Sequence, residues 1–128
     1  MKSENLSKSE LDVMAVLWRL GRATVSEVQG ELARSRPDDK AFAYTTVATH
    51  LNRMLEKGAV TATKTGRSLV FEPTEDRSDF RQSRLSALVR QFFDGRPSSL
   101  ASQFIEQNSF TTEELDELRR LIDEKKRS

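Results

Sequence analysis

The sequence predicts a mainly α-helical protein with one small β-hairpin, divided into an N-terminal part over residues 1–74 and C-terminal helices over residues 75–128. Two observations predict this class. Three segments with apolar residues at helical spacing precede residue 58, and two β-favouring segments separated by a glycine turn follow it. Helix, helix, helix and hairpin, in this order, predict a winged helix-turn-helix for residues 1–74.

Composition limits the classes of protein that the chain can represent. With 128 residues, 36% apolar and 32% charged, we expect one domain, or a small domain with an appendage. No apolar run is long enough to span a bilayer, and the N-terminus has no signal-peptide pattern. The absence of cysteine excludes a disulfide framework and a thiolate metal site, and a reducing cytoplasm is the expected compartment.

Capping boxes mark the first two helices. Ser7 and Glu10 are spaced to satisfy the free amides of a helix that runs to about Leu20, with Gly21 following as its left-handed cap. This helix is apolar on most sides, so we expect it to be central. Thr24 to Glu27 forms a second box, opening a helix to about Arg34, and the polar stretch 35–40 with Pro37 predicts a loop.

The third helix, YTTVATHLNRMLEKG at residues 44–58, has an unusual polar side. Its apolar residues recur at helical spacing: Tyr44, Val47, Leu51, Met54 and Leu55, with Val47, Leu51 and Met54 as the core stripe. Threonine is a poor helix former, and a side that needs only solubility favours Glu, Lys and Gln. Thr, Asn and Arg, however, are side chains that contact base edges and phosphates. The polar side therefore predicts a DNA-reading helix, although a merely threonine-rich solvent face is the alternative.

Residues 59–63 and 68–72 predict the hairpin, with Lys64 to Arg67 as its turn and Pro73 closing it. Residues 40–71 carry five cations (Lys40, Arg53, Lys57, Lys64 and Arg67) and one anion, hence +4, whereas the remainder, with sixteen cations and nineteen anions, is −3. A locally basic segment is typical of a DNA-contacting surface, with chance clustering as the alternative. The predicted DNA-binding residues are Thr45, Thr46, Thr49, Asn52, Arg53, Lys64 and Arg67.

Three amphipathic helices are predicted after the hairpin. One runs from about Asp76 to Gly95, a short one over 98–107 is capped by Ser98 or Ser99, and a capping box at Thr111–Glu114 opens the last. About fifty residues are too few for an independent core, so these helices pack either on the winged helix or on a second copy of the chain. Their segregation from the N-terminal part favours the second copy. The predicted dimerisation residues are Leu85, Leu88, Phe92, Leu100, Phe104, Leu115, Leu118 and Ile122.

Nothing in the sequence predicts catalysis or a cofactor. His50, on the flank of the third helix, is the only histidine and has no cysteine or second histidine as a companion ligand. A partly buried or groove-edge role is expected for it. No glycine-rich phosphate loop and no Ser-His-Asp set can be assembled. The chain is therefore not expected to be an enzyme or to hold a metal.

The chain resembles the BlaI/MecI family of bacterial penicillinase repressors over nearly its whole length. The resemblance lies in LSKSELDVMAVLW at 6–18, TVSEV at 24–28, the third helix, GRSLVFEPT at 66–74 and SSLASQFIEQNSFTTEELDELRRLI at 98–122. It implies a homodimeric transcriptional repressor with N-terminal winged helices and C-terminal dimerisation helices. It also implies that Thr45, Thr46 and Thr49 touch DNA.

Two departures from the family pattern affect what the resemblance implies. The recognition helix of the best-known members commonly starts Ser-Pro-Lys, but Ala43-Tyr44-Thr45 stands here, so a different operator is expected. The family's sensor-triggered cleavage falls at an Asn-Phe bond, which Gln103-Phe104 matches here as a candidate cleavage site for a sensor protease.

The function predicted from the sequence is sequence-specific repression by a homodimer on a palindromic double-stranded DNA operator. The alternative is a winged helix that serves as a protein–protein interaction module without specific DNA binding, since fold alone does not determine function. Lys64 and Arg67 favour DNA, because an interaction module does not need two cations at an exposed tip.

Overall fold

The computed structural model describes residues 6–35 and 42–128. The predicted loop around Pro37 and the cation Lys40 lie outside the described residues. In chain order the elements are α1 (Lys8–Leu20), α2 (Val25–Ser35), α3 (Tyr44–Glu56), β1 (Val60–Thr65), β2 (Ser68–Pro73), α4 (Arg77–Phe92), α5 (Pro97–Gln107) and α6 (Thr112–Arg127). The predicted fold class, helices with a two-stranded antiparallel hairpin, is confirmed.

Residues up to Leu85 form one compact unit, and its core is built around α1. Val13 and Leu17 of this helix are fully buried, and α2 and α3 both pack against α1. Both predicted capping boxes are present: Ser7 Oγ accepts from Glu10 N–H at 3.2 Å, and Thr24 Oγ1 accepts from Glu27 N–H at 3.2 Å. Gly21 takes the predicted left-handed position, with φ +86° and its N–H bonded to Leu17 O. The α1 prediction is therefore confirmed in its start, end and burial.

The hairpin β1–β2, which we call the wing, is held at its base by backbone hydrogen bonds. Ala23, in the connection between α1 and α2, donates to Phe71 O at 3.0 Å and accepts from Phe71 N–H at 2.8 Å. Phe71 is buried in the core. The turn of the wing is shorter than the predicted turn from Lys64 to Arg67. Lys64 belongs to β1, opposite Leu69, and only Gly66 and Arg67 form the turn.

The core extends beyond the predicted boundary at residue 74. Trp18 Nε1 donates to Glu75 O at 3.0 Å, and the Trp18 ring lies 5.1 Å from that of Phe80, which is buried. The Arg77 guanidinium lies over the Trp18 ring at 5.6 Å. The first turns of α4 are thus part of the N-terminal unit, and the division between the units falls inside α4.

Residues Ser86–Ser128 form the second unit. The predicted capping box at Thr111 and Glu114 opens α6. The predicted cap of α5 by Ser98 or Ser99 is wrong: Arg96 is the N-cap residue and Pro97 occupies the first turn, where its missing N–H costs no helical hydrogen bond. Many apolar side chains in α4 to α6 are exposed, among them Phe92 at 73%, Phe104 at 57% and Ile122 at 55%.

Candidate nucleic-acid interface

The two sides of α3 are sharply different. Val47, Leu51 and Met54 are fully buried and hold the helix against the core. The other side is exposed and carries Thr45, Thr49, Asn52, Arg53 and Glu56, with Thr46 half-buried at its edge. The helix presents the arrangement that the sequence predicted. Its orientation is held by packing of the buried side, so the polar side is free to contact a ligand.

One hydrogen bond restricts what Thr49 can do on this surface. Its Oγ1 donates to the backbone O of Thr45 at 2.9 Å, one turn earlier in the helix. Because its proton is donated within the helix, the Thr49 hydroxyl cannot donate to a ligand. Its oxygen can still accept a hydrogen bond, and its methyl group can make apolar contacts. Thr49 is therefore suited to adenine N6 or cytosine N4 as donors, or to a thymine methyl group.

The wing adds two exposed cations to this surface, Lys64 in β1 and Arg67 in the turn. Gly66 precedes Arg67 with φ +63°, in the left-handed region that favours glycine. Within the described part of the chain, no ion pair engages Arg53, Lys64 or Arg67. These three cations are accordingly available to an external anion.

Lys57, which the sequence counts in the basic segment, is committed to the protein itself. Its Nζ lies 2.6 Å from Oε1 of Glu10, a carboxylate that is only 2% exposed and that also accepts from Ser7 N–H at 2.8 Å. Burial by itself raises the pKa of Glu10, but the hydrogen bonds from Lys57 and Ser7 and the charges of Lys57 and His50 outweigh it. The pKa of Glu10 is therefore held below its ordinary value.

The Glu10–Lys57 pair connects the start of α1 to the residue that ends α3. Lys57 is the C-cap residue of α3, and Glu10 stands in the first turn of α1. The pair therefore joins the end of the helix that carries the polar surface to the start of α1. Sequence reasoning missed this role, because Glu10 is fully accounted for as a capping residue.

His50 is half-buried on the flank of α3, as the sequence predicted. Its Nδ1 is buried and has no hydrogen-bond partner among the described residues. In that part of the chain no group of three or more His, Cys, Asp or Glu side chains could hold a metal ion, and no helix has the length and apolarity to cross a membrane.

Tyr44 and Leu55 do not belong to the buried side of α3. Although both fit the helical spacing of its apolar residues, Tyr44 is 53% exposed and Leu55 is 40% exposed. Tyr44 lies in the first turn of α3, and periodicity alone misplaces it on the buried side. Leu69 of the wing is also exposed, at 47%. Leu69 lies opposite Lys64 near the hairpin end, a pairing that the sequence did not predict because it placed Lys64 in the turn.

Comparison with known proteins gives relatives that align along nearly the whole chain. The family model described as penicillinase repressor matches residues 6–124. The chain is 30% identical over 125 residues to a penicillinase repressor of Bacillus licheniformis, covering 98% of this chain and 94% of the relative. It is 22% identical over 124 residues to the methicillin resistance regulatory protein MecI of Staphylococcus aureus strain N315, covering 97% and 98% of the two chains.

The N-terminal part is also similar to a solved structure, the solution structure of the DNA binding domain of the repressor BlaI. The TM-score is 0.50 at 35% sequence identity, over 59% of this chain and 87% of that one. The similarity therefore covers a large part of this chain and nearly all of a domain that is described as DNA-binding.

Proposed function

The chain belongs to the penicillinase repressor family, and on that premise we propose that it is a sequence-specific, DNA-binding transcriptional repressor and not an enzyme. It acts as a homodimer on a palindromic operator in the cytoplasm. The observation that supports this most directly is the exposed polar side of α3, which carries Arg53, together with Lys64 and Arg67 of the wing. Among the described residues these three cations have no ion pair. Such a surface carries both kinds of contact that specific DNA binding needs, to base edges and to phosphates.

Selection of binding sites from random DNA tests the proposal. We expect the selected sites to share a dyad-symmetric sequence with half-sites about one helical turn, or a small multiple, apart. The affinity for these sites should fall steeply as salt rises from about 50 to 200 mM, because phosphate contacts release counterions. Sites without symmetry would contradict a dimer acting on a palindrome, and binding that ignores salt would contradict DNA binding through phosphate contacts.

Base-reading and phosphate-binding residues should respond differently to substitution. Thr49→Ala and Asn52→Ala are expected to relax the sequence preference, since these side chains stand on the exposed side of α3. Lys64→Ala and Arg67→Ala are expected to weaken all sequences alike and to reduce the salt slope by about one for each phosphate that is no longer bound. The measurement is the affinity for the selected site and for a scrambled site across a salt series. A changed sequence preference in the wing variants would overturn the assignment.

Thr45, Thr46 and Arg53 complete the proposed DNA-binding set. Thr45 and Arg53 are exposed, and Thr46 is half-buried. The first turns of a recognition helix reach base edges, so Thr45 and Thr46 are assigned to bases. Arg53 is assigned to phosphate or guanine, both of which its guanidinium can engage with two hydrogen bonds.

The C-terminal helices are the proposed dimerisation region. In α6, Leu115, Leu118 and Ile122 follow helical spacing, and Leu115 and Ile122 are exposed in the single chain. Exposed apolar stripes of this kind are typical of interaction surfaces. A second copy of the chain is the proposed occupant. The other residues assigned to this interface are Leu85, Leu88, Phe92, Leu100 and Phe104.

We propose that proteolysis of the Gln103-Phe104 bond terminates repression. Both residues are exposed, but the bond lies inside α5, and the Phe104 carbonyl accepts from Asn108 Nδ2 at 2.8 Å. The helix must therefore open locally before a sensor protease can cut it. Cleavage detaches α6 from the rest of the chain and removes its dimer contacts.

Intact-mass analysis of the repressor from cells induced with a cell-wall antibiotic checks the cleavage step. We expect two fragments whose masses correspond to a break after Gln103. A Gln103→Asp variant, which changes the exposed residue before the bond and leaves the interface residue Phe104 in place, should stay whole and keep its target genes repressed. Derepression with an intact chain would instead assign induction to a partner or a small ligand.

A further inference from the structure

A cleft of about 370 Å³ lies between the first turn of α3, the start of α2 and the wing. Its apolar surface comes from Val25, Tyr44 and Leu69. Thr24, Ser26 and Ser68 supply hydroxyls, and Arg67 supplies a positive charge. None of the described lining residues is acidic. We propose that this cleft holds one sugar-phosphate unit of the operator backbone, an inference that rests on the proposed DNA-binding function.

The position of the cleft makes the DNA backbone its natural occupant. Tyr44 directly precedes Thr45, the first residue assigned to base reading, and Arg67 is the cation of the wing turn. DNA that touches both the exposed side of α3 and the end of the wing must pass over the space between them. The cleft is that space, so a backbone unit bridging the two contacts lies against Tyr44 and Leu69.

The chemistry of the lining matches the two halves of such a unit. A deoxyribose presents apolar C–H groups, which pack well against an aromatic ring and a leucine side chain. A phosphate accepts hydrogen bonds from hydroxyls and from a guanidinium. The Thr24 oxygen already accepts from Glu27 N–H, but its own O–H remains able to donate. The cleft thus offers donors to the phosphate and carbon surface to the sugar.

The exposure of Tyr44 and Leu69 needs an explanation that the fold alone does not supply. Both are large apolar side chains, and each has about half of its surface in solvent. Neither contributes to the core, whereas the neighbouring Val47 is fully buried. A bound backbone unit would cover both residues at once.

Affinity measurements on the full-length protein and its selected operator test the cleft. Single phosphates of one half-site are replaced in turn by neutral methylphosphonates. At one phosphate position we expect the replacement to weaken wild-type binding about tenfold, the effect of removing a charge-assisted hydrogen bond. Arg67→Ala should bind about tenfold more weakly and lose most of its sensitivity to the replacement at that position, because only the hydroxyls of the cleft remain to bind the phosphate.

Tyr44 and Leu69 are tested with matched variants. Tyr44→Ala and Leu69→Ala should each weaken operator binding several-fold or more, whereas Tyr44→Phe, which keeps the ring, should bind within about twofold of wild type. Leu20→Ala is the control, since Leu20 is similarly exposed, at 40%, but lies outside the cleft. Thermal unfolding of each variant verifies that it is folded.

The possible outcomes distinguish a failure of the cleft proposal from a failure of the proposed DNA-binding function. If Tyr44→Ala and Leu69→Ala bind like wild type while Thr49→Ala still alters sequence preference, DNA binding stands and the cleft proposal is overturned. If no single methylphosphonate weakens the wild type, the proposal is overturned as well. If the wild type selects no symmetric site at all, the proposed function itself fails.

Discussion

Replacing Leu115 and Ile122 together by aspartate is expected to convert a dimeric repressor into monomers and to lower its operator affinity about a hundredfold or more. Both side chains are exposed in the single chain, at 45% and 55%, so the substitutions should leave the fold of α6 intact. In an apolar interface, however, unpaired carboxylates carry a large desolvation cost. Sedimentation equilibrium and titration of full and half operators measure the two effects.

The control for this variant adds the same charge at polar positions. Ser102→Asp with Gln107→Asp also adds two carboxylates, at exposed positions of α5 that carry no apolar side chain. This control should remain dimeric and bind the full operator as wild type does. The binding of an isolated half-site should be similar in all three proteins, because avidity and not the DNA surface is changed. A dimeric aspartate variant, or a monomeric wild type, would contradict the proposed interface.

A fragment that lacks the proposed dimerisation helices should end at Leu85 and not at Thr74. A cut after residue 74 removes Phe80 from the core and the carbonyl of Glu75 from the Trp18 N–H. A cut after Leu85 keeps both and coincides with the division between the two compact units. The longer fragment is the appropriate reference for half-site binding by a monomer.

Replacing Lys57 by methionine is expected to lower the free energy of unfolding by about 2–3 kcal/mol at neutral pH, since it leaves the buried Glu10 carboxylate without its cation. In the wild type the pKa of Glu10 lies below the ordinary value of 4.5. Its contribution to stability is therefore fully present above that value and is lost as the pH falls through the lower pKa of the folded state. Denaturant unfolding of both proteins between pH 7 and pH 3 measures this dependence.

The pH dependence of the variant distinguishes this explanation from a simple packing loss. Without the Lys57 cation, burial dominates and raises the pKa of Glu10, so the variant should gain relative stability as the pH falls and Glu10 is protonated. The difference from wild type should shrink toward low pH, and Glu10→Gln added to Lys57→Met should recover part of the loss. Lys64→Met, at an exposed lysine, should change stability by less than about 0.5 kcal/mol. A difference that stays constant with pH would refute the ion-pair explanation.

The sequence predicts best what depends on neighbours along the chain. The capping boxes at Ser7, Thr24 and Thr111 and the buried stripe of α3 arise from spacings of three or four residues, and all are confirmed. The Glu10–Lys57 pair joins residues 47 positions apart, and no local pattern indicates it. Tyr44 shows a second limit: it fits the helical period of the buried residues, but its side chain is 53% exposed. The assignment of bases and phosphates to particular side chains remains a prediction.

The two hydrogen bonds between Ala23 and Phe71 bear on how such a protein can diversify. They join main chain to main chain, so exchanging a side chain at the wing turn or on the outer side of α3 does not remove the bonds that hold the base of the wing. Duplicated copies of the gene can therefore acquire new operators through a few surface substitutions, without first passing through an unstable intermediate. For the same reason, libraries randomised at Thr45, Thr49, Asn52 and Arg67 are a practical source of repressors with chosen target sequences.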